Sequence, residues 1–233
     1  MTAAGSAITM LVGTVLLRLT VTGTYRRYVR VGLGPWLTVA GVTVVVLGAV
    51  ALFYALQRSR SGEPTGDGDA HDHGEGVRVG WLLLAPIAVL LLVAPPTLGS
   101  YGVNRGAAVD VKSGGAVFDP LPRGSSSVPM TLLEYGQRAF DRHGSSLTGS
   151  TVQLTGFISR VDQDGFQLAR YQIACCAADA VPAVVLVRGV AGHPPKRDSW
   201  VRVTGAYLRG SGQLPRLAAT SVEVIPVPNE PYE

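Results

Sequence analysis

The first half of the chain alternates long apolar stretches with short polar ones. No Asp, Glu, Lys or Arg occurs between Val31 and Gln57, or between Val79 and Asn104. A bilayer core about 30 Å thick takes roughly 20 helical residues. Residues 36–56 and 81–101 are therefore predicted to span a membrane, the second with Trp81 and Tyr101 at its ends, where amphipathic rings favour the interface.

Residues 7–22 predict a third span, although Arg18 lies inside it. A charge at mid-bilayer costs about 3 kcal/mol or more, but near a helix end the side chain reaches the interface. A cleaved signal peptide is the alternative, and the absence of a basic segment before the apolar run disfavours it. The prediction is a multi-pass protein of the cell membrane in contact with lipid.

Orientation stays open, because the basic residues beside the predicted spans are split five to three between the two sides: Arg26, Arg27, Arg30, Arg105 and Lys112 against Arg58, Arg60 and Arg78. Overall composition agrees with a membrane protein, since only 15% of residues are charged against about a quarter in ordinary soluble domains. Residues 57–80, rich in Gly and Asp, predict a disordered loop, and residues 104–129 predict a linker.

From residue 130 onward the pattern is that of a soluble, mostly β domain. Thr131 and Glu134 have the spacing of a capping box, which predicts a short helix that Gly144 ends. Short β-branched runs separated by turn residues then predict strands at residues 151–159, 165–174, 183–189, 199–208 and 216–225. Five strands after a helix predict a five-stranded OB-like barrel. Its nearly balanced charge, ten basic against nine acidic residues, gives no nucleic-acid footprint.

The adjacent cysteines Cys175 and Cys176 are the only two in the chain. Neighbouring residues of a regular strand point to opposite faces, so both thiols serve one site only where the strand ends or bends. Thiolates with a carboxylate or an imidazole suit Zn²⁺, and the candidate further ligands are Asp179, His193, His143, His71 and His73. Cysteines buried in the core and a redox pair are the alternatives. No nucleotide-binding or hydrolase motif occurs, so an enzyme is not predicted.

The chain resembles the YcgQ-type family of permease subunits, through its three predicted spans, its His-bearing loop and one motif string. The string is R-Y-x-I-x-C-C-x-A-D-A-x-P followed by W-V-x-V-x-G, which here comprises Arg170, Tyr171, Ile173, Cys175, Cys176, Ala178, Asp179, Ala180, Pro182, Trp200, Val201, Val203 and Gly205. The resemblance implies a larger multi-span permease of the YcgR type as partner, and a role in zinc homeostasis. Only His71 and His73 stand where the family often has a richer His tract.

These observations predict a non-catalytic accessory subunit of a membrane permease system that handles zinc or another divalent metal. Small residues in and before the second span, among them Gly34 and Gly41, would allow close helix packing against a neighbour. The second hypothesis is a membrane-anchored OB-like binding module with no transport role, whose cysteines lie in the core. The third is a thiol redox protein.

Overall fold

The computed structural model describes residues 3–60, 97–105, 118–119, 121–122, 127–189, 192–210 and 212–233. They form two compact units. The first takes its described residues from Met1–Tyr25 and Val31–Pro96, and the second from Arg26–Arg30 and Thr97–Glu233.

The first unit is a pair of packed apolar helices, α1 (Ala3–Val21) and α2 (Gly34–Arg60). Glycines at the contact allow the close approach: a Cβ added to Gly13 would lie 2.7 Å from Val45 Cγ2, and one added to Gly48 would lie 2.7 Å from Met10 Cγ. Gly41, singled out from the sequence, faces Leu17 in the same way. Small residues at such positions let backbones pack by van der Waals contact, as between membrane helices.

One helix in the described part of the chain is long and apolar enough to cross a membrane. It covers Val31–Arg58, and an 18-residue stretch of it has a mean hydropathy of 2.4, with only 11% of that stretch buried within the protein. The predicted span at 36–56 falls inside it, and the helix continues to Arg60 where the sequence predicted a loop from residue 57. The apolar helix Gly5–Val21, which contains most of the predicted span at 7–22, is shorter than a full span.

The predicted span at 81–101 lies outside the described residues up to residue 96. Its last residues differ from the prediction: Thr97 to Gly99 are not helical, and Ser100 begins the four-residue helix α3 (Ser100–Val103). Ser100 and Val103 are buried, and α3 contacts the sheet of the second unit. Residues 97–103 thus pack with the C-terminal domain through Ser100 and Val103, while Tyr101 stays exposed.

The second unit is built on a six-stranded sheet. Its strands are β1 (Val128–Pro129), β2 (Thr151–Asp162), β3 (Gly165–Gln172), β4 (Val181–Arg188), β5 (Trp200–Leu208) and β6 (Arg216–Val224). The order is β1-β2-β3-β4-β6-β5, and β2 also pairs with β5, so each strand from β2 to β6 has neighbours on both sides. The β1–β2 and β4–β6 pairings are parallel and the others antiparallel.

A mostly β C-terminal domain preceded by a short helix is confirmed. Each of the five predicted strands corresponds to one of β2–β6. The sixth strand, β1, has two residues and no alternating pattern that could have predicted it. Helix α4 (Leu132–Phe140) begins as predicted, with the Thr131 hydroxyl accepting a hydrogen bond from the Glu134 N–H at 3.0 Å. It packs on a core formed with the sheet by Leu132, Tyr135, Ala139, Leu154, Ile158, Phe166, Leu168, Val185 and Val203.

The chain after α4 turns through two left-handed residues that are not glycine. Arg142 and His143 have φ of 43° and 59°, and Gly144, where the sequence predicted the stop, has φ of 75°. Tyr207 explains why residue 144 has no side chain, since a Cβ there would lie 2.4 Å from its ring.

Candidate metal centre

Both cysteines lie in the connection between β3 and β4. Strand β3 ends at Gln172 and β4 begins at Val181, with one turn of 3-10 helix at Ala177–Asp179 between them. The predicted strand at 165–174 therefore ends earlier than expected, ahead of both thiols. The strand end removes the alternation that would have sent the two side chains to opposite faces.

Three ligand atoms converge in this connection. The thiol sulfurs of Cys175 and Cys176 and a carboxylate oxygen of Asp179 all lie within 4.8 Å of one another. Cys175 is exposed, Cys176 is half-buried, and neither forms a disulfide. The interpretation of the cysteines as core residues does not fit this exposure.

Asp179 shapes the loop as well as offering a ligand atom. Its carboxylate accepts hydrogen bonds from the backbone N–H groups of Ala174 at 2.9 Å, Cys175 at 2.8 Å and Cys176 at 3.2 Å. In return the Cys176 sulfur accepts from the Asp179 N–H, which gives the turn a capping box. The loop is thereby held in a shape that keeps the two sulfurs beside the carboxylate.

The thiol of Cys175 donates a hydrogen bond to the Asp179 carboxylate, and this contact shifts the pKa of both groups. It raises the pKa of Cys175 to about 11, with a further contribution from Cys176. The same bond, joined by the backbone donors, lowers the pKa of Asp179 to about 2. At neutral pH Cys175 is therefore a neutral thiol that donates a hydrogen bond to the ionised carboxylate of Asp179. A metal ion that binds the Cys175 sulfur would have to displace the thiol proton.

The donor set suits zinc. Two sulfurs and one carboxylate oxygen belong to the ligands that Zn²⁺ takes in tetrahedral sites, and hard cations such as Mg²⁺ prefer oxygen alone. Three donors leave one position for water, a partner's side chain or another ligand. His193 and His143 are not part of the group, and His143 instead lines a cavity of about 100 Å³ between the end of α4 and the β5–β6 connection. His71 and His73 lie outside the described residues.

A second partner of the cysteine loop was not predicted from the sequence. Val29 forms an isolated antiparallel bridge with Cys176. The Arg30 N–H donates to the Cys175 carbonyl at 3.0 Å, and the Ala177 N–H donates to the Tyr28 carbonyl at 2.7 Å. These contacts join main-chain atoms and do not require particular side chains. The sequence therefore carries no pattern that would predict them.

The remaining motif residues build the support behind this loop. Arg170 pairs with Glu233 at 3.3 Å, and the Tyr171 hydroxyl donates to the Gly99 carbonyl at 3.0 Å. Ile173 and Tyr171 exchange main-chain hydrogen bonds with Glu233. Pro182 pairs with Tyr171 across β3 and β4, Trp200 packs on Phe157, and Gly205 lies against β6. The motif therefore anchors residues near 99 and 233 to β3, the strand that leads into the cysteine loop.

Comparison with known families gives one match. A family model described as the DUF1980 C-terminal domain matches residues 137–233, which is less than half of the chain and lies wholly in the second unit. The match agrees with the YcgQ-type resemblance for the C-terminal domain. No curated protein and no solved structure matches the chain.

Proposed function

We propose that the protein is a non-catalytic accessory subunit of a membrane permease system, with zinc as the cargo that its C-terminal domain binds. The observation that carries the proposal is the convergence of Cys175, Cys176 and Asp179 on an exposed loop, with their ligand atoms within 4.8 Å. An exposed three-donor site suits an ion that arrives and leaves, because a structural zinc site is closed by four protein ligands.

The permease partner follows from the character of the helices. In α1 the only charged residue is Arg18, and the charged residues of α2 stand at its end. Helices with so few ionisable side chains do not offer an ion path of their own. The outward side chains of α2 include Val39, Leu47 and Phe53, each more than half exposed, and this surface suits lipid or a multi-span permease of the YcgR type.

We also propose that the second unit is an OB-like barrel. Strand pairings that pass from β2 through β3, β4, β6 and β5 and return to β2 have the closed five-stranded arrangement of that fold. Such a barrel carries its function in the connections between strands, and the cysteine loop is one of them.

Zinc binding is tested on the full chain, purified in detergent with reductant. We expect one zinc per chain, and at least about a 100-fold weaker affinity when Cys175→Ser and Cys176→Ser are combined, because serine supplies no thiolate. Metal content by atomic absorption and competition with a chromophoric chelator measure this. His193→Ala is the matched control and should bind as the wild type does.

The affinity of the protein for zinc should also rise with pH. The Cys175 thiol, with its pKa raised to about 11, is protonated at neutral pH, so binding must release its proton and gains about tenfold per pH unit for each proton displaced. A folded wild-type chain without zinc at any pH would contradict the proposal and favour the binding module without a transport role.

We propose a multi-pass arrangement because of the two segments of the chain that make up the second unit. Arg26–Arg30 belongs to the same unit as the C-terminal domain, although α2 follows it in the chain. If α2 crosses the membrane, the chain has to cross again before Thr97, and the part of the predicted span at 81–101 that precedes Thr97 would provide that crossing.

Reporter fusions test the arrangement. Enzymatic reporters joined after residue 70 and after residue 233 should report opposite sides of the membrane, because one span separates them. A reporter inserted after Gly23 should agree with the one after residue 233. Reporters on one side at both 70 and 233 would contradict the predicted span at 81–101.

A further inference from the structure

The cysteine loop holds a segment that in sequence connects α1 and α2. Besides the two main-chain hydrogen bonds to Tyr28 and Arg30, the segment is held by the Tyr232 hydroxyl, which donates to the Arg27 carbonyl at 2.7 Å. These contacts all lie within the second unit. Arg26–Arg30 is therefore docked on the domain at the loop that carries both thiols.

The two peptide groups on either side of Cys176 are shared between the docked segment and Asp179. In the first, the Cys175 carbonyl accepts from Arg30 while the Cys176 N–H donates to the Asp179 carboxylate. In the second, the Ala177 N–H donates to Tyr28 while the Cys176 carbonyl accepts from the Asp179 N–H. Peptide groups are planar, so neither group can turn without disturbing both partners.

This sharing links docking to the geometry of the metal ligands. A tetrahedral zinc with Zn–S bonds of about 2.3 Å brings its sulfurs to about 3.7 Å apart. The ligand atoms, within 4.8 Å of one another, need to close by only about 1 Å. A loop held from one side by Asp179 and from the other by the segment is preorganised, which lowers the entropy lost when the ion is bound.

We propose that zinc binding by Cys175, Cys176 and Asp179 and docking of Arg26–Arg30 strengthen each other, so that metal occupancy regulates how firmly the α1–α2 connection is held. The inference rests on the proposed function, because it takes zinc as the ligand. Coupling between two binding events is reciprocal, so it can be measured from either side.

From the side of the segment, the test is Arg30→Pro in the full chain in detergent. Proline lacks the N–H that donates to the Cys175 carbonyl, and its preference for an extended preceding residue suits Val29 in the bridge. We expect zinc affinity to fall about fivefold, as for the loss of one hydrogen bond. Arg30→Ala is the matched control: it removes the same side chain but keeps the N–H, and should bind zinc as the wild type does.

From the side of the metal, the test is hydrogen exchange. Zinc should slow exchange of the Arg30 and Ala177 amides about fivefold in the wild type, and should leave them unchanged in the chain with both cysteines replaced by serine. Tyr232→Phe removes the hydroxyl that donates to the Arg27 carbonyl and leaves the backbone unchanged. It should weaken zinc binding by a smaller factor, about twofold.

The outcomes separate the two proposals. If the wild type binds zinc but Arg30→Pro, Tyr232→Phe and the exchange rates show no coupling, the inference is overturned and the proposed function stands. If the folded wild type binds no zinc, both are overturned. Equal losses in Arg30→Pro and Arg30→Ala would assign the effect to the arginine charge, and would also overturn the inference.

Discussion

Replacing Arg170 with Met should lower the free energy of unfolding of the second unit by about 3 kcal/mol, because the buried Glu233 carboxylate loses its charged partner. The carboxylate keeps its hydrogen bonds from Gln172 and the Leu132 N–H. The side chains of Arg170 and Glu233 are only 15% and 5% exposed and lie 3.3 Å apart. Arg170 also donates to the Glu230 carbonyl at 2.7 Å. Denaturant unfolding of the full chain in detergent, followed by near-ultraviolet circular dichroism, measures the change.

The pH dependence gives this prediction a second test. Burial raises the pKa of Glu233, and Arg170 lowers it, so the variant should have a still higher folded-state pKa. A carboxyl whose folded pKa lies above its unfolded value loses stability as pH rises past the unfolded value. The defect should therefore be larger at pH 7.5 than at pH 5, because a larger share of Glu233 carries its charge at the higher pH.

A surface ion pair serves as the control for Arg170. Arg202 and Glu223 lie 2.9 Å apart, a shorter distance, but their side chains are 41% and 64% exposed. Arg202→Met should cost no more than about 0.5 kcal/mol, since exposed pairs contribute little. Combining Arg170→Met with Glu233→Gln should recover part of the loss. Similar costs for the two arginines would show that burial does not decide the effect.

Gly205→Ala is the second substitution with a large expected effect, again about 3 kcal/mol. A Cβ at this position would lie 2.2 Å from the carbonyl oxygen of Ala218 and 3.0 Å from its carbonyl carbon. The obstacle is the backbone of the paired strand β6, at the point where the pairing register shifts between Thr204 and Gly205. No side-chain rotation relieves the contact, so β5 and β6 must separate locally.

Gly192→Ala is the matched control for Gly205. An added Cβ there meets nothing within 4 Å, but the residue has φ of +82°, so only backbone strain of about 1 kcal/mol is expected. The same unfolding measurement compares the two. If both variants lose the same stability, the close approach of β5 to β6 is not what requires glycine at position 205.

Much of the architecture could be predicted because its signals are local. Helix α2 follows from an uncharged apolar run, the start of α4 from the Thr131 and Glu134 spacing, and β2–β6 from β-branched runs between turns. The cysteines fell in the connection after β3 because the Ala-rich sequence around them interrupts the strand pattern, whereas Pro182 already lies within β4. Each of these depends on residues within a few positions of one another, where backbone preference and periodicity act.

Only the tertiary structure shows which segments, far apart in sequence, these helices and strands contact. Residues 97–101 read as the end of a span, yet Asp198 accepts hydrogen bonds from the N–H and hydroxyl of Ser100 and fixes this segment to the sheet. Glu233 had no feature in the sequence that singled it out as the partner of Arg170. Arg26–Arg30 read as a basic loop, whereas its backbone pairs with the cysteine loop. Main-chain pairing and contacts between residues far apart in sequence depend on position in space, so only the fold could reveal them.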